Sequence, residues 1–260
     1  VNLLQDVERF WDRSPCNIRH STAQVGTREY FDEVEWRKYF VEPHIPGFAE
    51  FERWRGRSVL EIGCGIGTDT INFARAGARV TAVELSKRSL DIAVRRAQVF
   101  GLGEQIRFVL GNCERLSEVL RVEPYDLVYS FGVLHHTPSP ERALLEIQKY
   151  MDNRSELRVM VYSKVSVKTL QMRFGRITCE AQPNVPVAYT YTRRGLCHLL
   201  RDFDVLDLTK THIFPWRIRD YIQYRYRKVW VWRFVPKLLF KSLERVLGWH
   251  WLAVARLREL

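Results

Sequence analysis

No stretch of this 260-residue chain approaches the roughly 20 consecutive apolar residues that cross a bilayer. The opening residues, VNLLQDVERFWDRSPC, carry acidic and basic side chains where a secretory leader would be apolar. A protein with no transmembrane segment, not secreted, is the expectation. Cys-x-x-Cys pairs are also missing. The five cysteines, Cys16, Cys64, Cys113, Cys179 and Cys197, are odd in number and scattered, which argues against a disulfide framework and a structural zinc site and fits a cytoplasmic protein. Cys16 and His20 lie four apart, but two ligands do not make a site, so no metal is expected. Acidic residues are in deficit, 30 against 41 lysines and arginines, for a net charge of +11. Such an excess attracts nucleic acid, an anionic membrane face or a small acidic substrate, and charge alone does not separate the three.

What the chain does have is core-forming material: 46% of it is hydrophobic and 13% aromatic. From Arg57 onward, short β-rich runs alternate with helical runs, the pattern of a doubly wound α/β sheet. SVLEIG, RVTAVEL, IRFVLGN, YDLVYSFG, LRVMVYS, FDVLDLTKTHIF and WHWLAVARL read as seven strands. Ser86 is placed to cap the second helix of this series and Gly101 to end it, while Ser139 and Pro140 open a later one. Four segments follow: an N-terminal helical cap over 1–54, a core over 55–213, a basic aromatic insertion over 214–248, and the last core strand over 249–260.

The most informative stretch is VLEIGCGIGTD, residues 59–69. A strand that runs into Gly63, Gly65 and Gly67 and then a helix brings backbone amides and a helix N-terminus up to a ligand, with no Cβ to hold it away. That describes a nucleotide or nucleoside pocket. Glu84 ends the second strand, where a carboxylate can accept from both hydroxyls of a ribose. Dinucleotide enzymes share this arrangement but use Gly-x-Gly-x-x-Gly; here the third glycine comes one residue early and Thr68 stands in its place. Glu61 would repel a pyrophosphate and suits a cationic ligand.

Together, Glu61 to Gly67, Glu84 and YDLVYSFGVLHHTPSPERAL resemble the class I S-adenosylmethionine-dependent methyltransferases, in particular the small-molecule branch that includes the ubiquinone and menaquinone C-methyltransferases. The resemblance covers about residues 55–162 and implies a Rossmann-like, mostly parallel sheet with an antiparallel last strand. It implies that Glu61, Gly63, Cys64, Gly65 and Gly67 hold the methionine part of S-adenosylmethionine, that Glu84 holds the ribose, and that Leu85 lies along the adenine. Where the family has Gly-Asp-Ala this chain has Gly111, Asn112 and Cys113; the Asn112 carbonyl would accept from the adenine amino group. Ser130 and Phe131 would flank the methyl group.

Methyl transfer from a sulfonium is an in-line displacement, so the protein mainly aligns the nucleophile and excludes water. His135 and His136 face the crevice in the family's arrangement, with His135 the first choice as base or orienting group; a turn in which both merely pack is the alternative. Tyr162 either orients an acceptor or packs. In similar enzymes the region before the first strand closes over the cofactor, which makes Tyr39 and His44 acceptor contacts. Insertion 214–248 offers Arg217 and Tyr221 to a small acidic or flat acceptor. After that reading, its tryptophans and basic residues suit, in descending order, peripheral contact with a membrane, an RNA surface and a homodimer contact. RNA ranks low, because the fourth strand ends in Ser-Phe-Gly-Val-Leu-His-His and not in an Asn-Pro-Pro-Tyr run. The expected activity is methylation of a small organic molecule; the alternatives are a lipid-associated acceptor, RNA, or a cofactor-binding protein without catalysis.

Overall fold

A computed structural model describes residues 3–173 and 184–258; Cys179 lies outside them. Helices α1 (Leu3–Arg13), α2 (Arg28–Val41) and α3 (Ile45–Ala49) precede the first strand. The core then runs β1 (Ser58–Ile62), α4 (Thr68–Arg75), β2 (Arg79–Glu84), α5 (Lys87–Phe100), β3 (Ile106–Leu110), β4 (Leu127–Phe131), α6 (Pro140–Gln148) and β5 (Glu156–Tyr162). It continues through α7 (Val167–Arg173), α8 (Arg193–Leu199) and β6 (Phe203–Thr211). Three helices, α9 (Ile218–Tyr221), α10 (Trp230–Arg233) and α11 (Lys237–Leu247), lead to β7 (His250–Leu257).

The seven strands form one sheet in the order β3-β2-β1-β4-β5-β7-β6. Strands β1 to β5 are parallel, and β7 lies antiparallel between β5 and β6. Chain direction across the sheet reverses between β1 and β4, so the loops leaving these two strands flank one crevice. Period-2 alternation feeds two cores: Leu60, Ile62 and Val128 point to one face, and Val59, Leu127 and Tyr129 to the other. Each fully buried aliphatic side chain there contributes about 1.5–3 kcal/mol.

Local signals act as the sequence suggests at α5, where Ser86 Oγ accepts from Ser89 N–H at 3.0 Å and Gly101 closes the helix at φ +69°. At α6, Ser139 occupies the cap position but makes no side-chain cap bond; its own N–H donates to Glu114 Oε1 at 2.8 Å.

Buried arginines fasten the N-terminal helices to the core. Arg96 on α5 donates to Thr68 Oγ1 (2.6 Å) and to the Phe31 carbonyl (3.0 Å), and pairs with Glu35 (3.2 Å), joining α2 to α4. Arg158 on β5 pairs with Glu156 at 2.6 Å and reaches the Phe48 carbonyl of α3 and Glu50 just after it. The outer side of α2 meets the insertion: Phe40 stacks on Trp36 and Trp216 and meets Tyr226 edge-on at 4.7 Å. Arg37 lies over the rings of Tyr221 (4.3 Å) and Tyr224 (4.1 Å) and donates to the Tyr221 carbonyl at 2.6 Å. The two segments flanking the core therefore form one roof.

Candidate active site

Beneath that roof lies a cavity of about 960 Å³. Its floor is the loop after β1, its walls are the ends of β2 and β4, and its far end is built by α1, β7 and the insertion. The three glycines of the loop have different tasks. All take positive φ, between +55° and +77°. At Gly65 a Cβ would point into open space, which leaves backbone exposed to the cavity. A Cβ at Gly63 would strike Val133 Cγ2 at 2.3 Å, so Gly63 lets the β1 and β4 loops close on each other. Gly67 does not line the cavity; a Cβ there would meet Ala93 at 2.9 Å, and its role is the packing of α4 on α5. The expectation of a ligand contact at Gly67 is corrected accordingly.

Glu84 is buried at the cavity wall and accepts from Gly65 N–H (2.8 Å) and Ser86 N–H (2.9 Å), so one carboxylate braces the glycine loop and the start of α5. Leu85 N–H adds a third backbone contact to this carboxylate. Leu85 and Cys64 line the same wall. Asn112 does so with the opposite polarity to that expected: its Oδ1 accepts from Glu114 N–H at 3.0 Å, capping a short helical turn, and Nδ2 is the buried atom with no partner. Burial pushes the Cys113 thiol up to about 12, and burial likewise raises Cys64; neither is a thiolate nucleophile.

Glu61 sits just behind the cavity surface, buried, where Thr70 Oγ1 donates to its Oε2. Burial, and then Asp69, push its carboxyl up to about 8. A folded value above the unfolded one favours the protonated carboxyl in the ligand-free fold. That contribution is fully present below the ordinary carboxylate range and is lost as pH rises through about 8. The thermal midpoint of the ligand-free protein should therefore fall between about pH 5 and pH 8, and Glu61→Gln should flatten the fall. An equally steep fall in the variant would remove Glu61 as its source.

Asp69, in the first turn of α4, accepts from Lys38 Nζ (2.7 Å), Tyr39 OH (2.9 Å) and Tyr129 OH (3.1 Å). Tyr39 is consumed by this hub and by Asn72, and does not line the cavity; Lys38, one residue earlier, does. This is a second correction, and Lys38 is a residue the sequence reading missed.

At the end of β4, Phe131 lines the cavity, whereas Ser130 is fully buried and does not. The histidine pair divides. His135 is fully buried against the Tyr162 ring (3.7 Å between centroids) and away from the cavity, and burial followed by its neighbour His136 holds it far below the ordinary imidazole range. His136 lines the cavity beside Trp11 of α1, and its Nδ1 lies 2.6 Å from the Val187 carbonyl. A carbonyl only accepts, so Nδ1 carries the hydrogen and neutral His136 has its lone pair on Nε2. Tyr162 lines the cavity between His135 and Trp249, and Arg217 and Tyr221 line its roof. His44 stands at the edge, against Phe131, His212 and His250.

The glycine loop at the switch point of the sheet, the acidic end of β2 and the antiparallel β7 are the arrangement that the resemblance to S-adenosylmethionine-dependent methyltransferases implies. Residues 59–153 match the methyltransferase-domain family, so the chain carries a class I S-adenosylmethionine-dependent methyltransferase domain. Among curated relatives, a ubiquinone biosynthesis O-methyltransferase from Photobacterium profundum is 32% identical over 113 residues, 44% of this chain and 44% of that protein. The chain spans less than half the length of the curated relatives it matches. Among solved structures, magnesium protoporphyrin IX methyltransferase from Synechocystis PCC 6803 with bound S-adenosylhomocysteine superposes with a TM-score of 0.64 at 17% identity, over 98% of this chain and 99% of that one. Geranyl diphosphate C-methyltransferase from Streptomyces coelicolor A3(2) gives 0.63 at 13% identity, over 99% of each. Both show the same fold, including the segments on either side of the core. No helix among the described residues is long and apolar enough to cross a membrane.

Proposed function

We propose that the protein transfers the methyl group of S-adenosylmethionine to a small organic acceptor held under the roof made by α1, α2 and the insertion. The observation that carries this reading is the continuity of one cavity from Gly65, Glu84 and Asn112 to His136, Tyr162 and Arg217. The residues fit the cofactor: the open space at Gly65 and the carboxylate of Glu84 suit an adenosine, and the carboxyls of Glu61 and Asp69 suit a cationic methionine end. Lys38, paired with Asp69, suits the carboxylate of that end. The cofactor supplies an electrophilic methyl group with a good leaving group. The protein's part is to hold the acceptor in line, shed water from it and, for a protonated acceptor, take the proton at His136 Nε2.

The acceptor we infer is flat or apolar, with an acidic group for Arg217. A lipid-associated molecule is a specific form of this reading, supported by the outer face of the insertion. Trp230, Phe234 and Leu238 are 67%, 79% and 83% exposed, with Lys237 and Lys241 beside them. Incubation with labelled S-adenosylmethionine and separate aqueous and lipid fractions of a cell extract tests both. A labelled small product supports methyl transfer, its fraction identifies the form, and label recovered only in RNA would reverse the reading.

With that product in hand, His136→Ala should lower kcat/KM by about a hundredfold or more while leaving S-adenosylhomocysteine affinity unchanged. His135→Ala should instead lower the thermal midpoint. Turnover that fell with His135 and not His136 would contradict the division of roles.

A further inference from the structure

We propose that His44, His212 and His250 form a binding site for one divalent transition-metal ion at the acceptor end of the cavity. The three residues come from the start of α3, the turn after β6 and the first position of β7. One ring nitrogen from each lies within 4.8 Å of the others. His44 Nε2 and His250 Nδ1 are 3.1 Å apart, close to the roughly 3.3 Å edge of a tetrahedron with metal–nitrogen bonds of about 2.0–2.1 Å. Entry of an ion exchanges that single hydrogen bond for two coordinate bonds. Burial holds all three imidazoles below their ordinary range, His44 at about 4, so they are neutral ligands near neutral pH.

Two further observations set this cluster apart from packing histidines. His212 is held at φ +72°, a conformation that residues other than glycine rarely adopt, and the Trp249 N–H fixes it there by donating to its carbonyl at 2.8 Å. Glu42 Oε1 lies 3.7 Å from His250 Nδ1, the nitrogen that faces the ion, and so places a negative charge beside the cluster. Two cations stand near the cluster: Lys38, paired with Asp69, acts on His44, and Lys168, over the Trp249 ring at 4.6 Å, acts on His212 and His250.

Three imidazoles with no thiolate select zinc or a neighbouring first-row ion over magnesium or calcium, which need oxygen ligands. His212 and His250 line the cavity, so a three-ligand ion would have its open position toward the acceptor. Resting on the methyl-transfer reading, this makes the acceptor group a hydroxyl or thiol whose pKa an ion would lower.

Cobalt titration of the purified protein, with neither cofactor nor acceptor present, tests the site apart from the activity. One equivalent of Co²⁺ should give the strong visible bands of a four-coordinate ion, Zn²⁺ should abolish them, and Mg²⁺ should not. Adding 2-mercaptoethanol should produce a thiolate-to-cobalt band at the open position. His44→Ala, His250→Ala and His212→Gly should each weaken Co²⁺ binding at least tenfold while S-adenosylhomocysteine binding persists. A spectrum equal to that of Co²⁺ in buffer, or affinity unchanged in the variants, would overturn the proposal. X-ray absorption of the wild-type zinc form gives a reading free of mutation: imidazole scattering supports the site and its absence refutes it.

Discussion

Replacing Glu84 by alanine should weaken S-adenosylhomocysteine binding by two to three orders of magnitude, or about 3–4 kcal/mol. The carboxylate is expected to accept from both ribose hydroxyls, and a hydrogen bond to a charged group contributes about 1.5–3 kcal/mol when no water replaces it. The same carboxylate holds the Gly65 and Ser86 amides, so alanine also leaves the glycine loop unbraced. Glutamine keeps one acceptor oxygen and should recover part of the loss. Titration calorimetry reads both variants, and an alanine variant within threefold of wild type would remove Glu84 from the cofactor site.

The second large effect is on stability. Asp69 accepts three side-chain hydrogen bonds in the interior and is the counter-ion of Lys38, whose ammonium is raised in pKa because, against the penalty of burial, Asp69 together with Glu42 and Glu61 favours the charged form. Asp69→Ala leaves a buried ammonium and two tyrosine hydroxyls without their acceptor. Removing one partner of such a pair costs about 3–5 kcal/mol, which lowers the thermal midpoint of a chain of this size by about 10 °C. Replacing both partners together, Lys38→Met with Asp69→Leu, should restore a good part of that. A single-variant shift below about 3 °C would mean that water enters and solvates the ammonium.

The glycine-loop half of the cavity was legible because its signals are local. A strand running into glycines, an acidic strand end and an apolar period of two each act within a few residues, and the sheet assembles from them. The acceptor half depends on direction. His135 and His136 sit in one tight helical turn that points neighbours about 120° apart, so the sequence cannot tell which one enters the cavity. Lys38 and Tyr39 differ by one helical step of about 100°, and the lysine reaches the cavity. Gly67 fits the ligand-binding spacing and yet serves helix packing, because its close neighbour Ala93 belongs to another helix. Trp230, Phe234 and Leu238 show the periodicity of a buried face but lie outward, since the break at Pro236 divides them between α10 and α11. The three histidines come from distant parts of the chain, and only β7 inserted between β5 and β6 brings them together.

The contact between α2 and the insertion has a consequence for how such a protein can diversify. Arg37 and Phe40 mate with rings contributed by Trp216, Tyr221, Tyr224 and Tyr226. Neither flank can be exchanged alone: a foreign insertion would strand Arg37 without its aromatic cradle, and a foreign α2 would bare the rings. A change in either flank therefore has to be matched in the other if their contact is to survive.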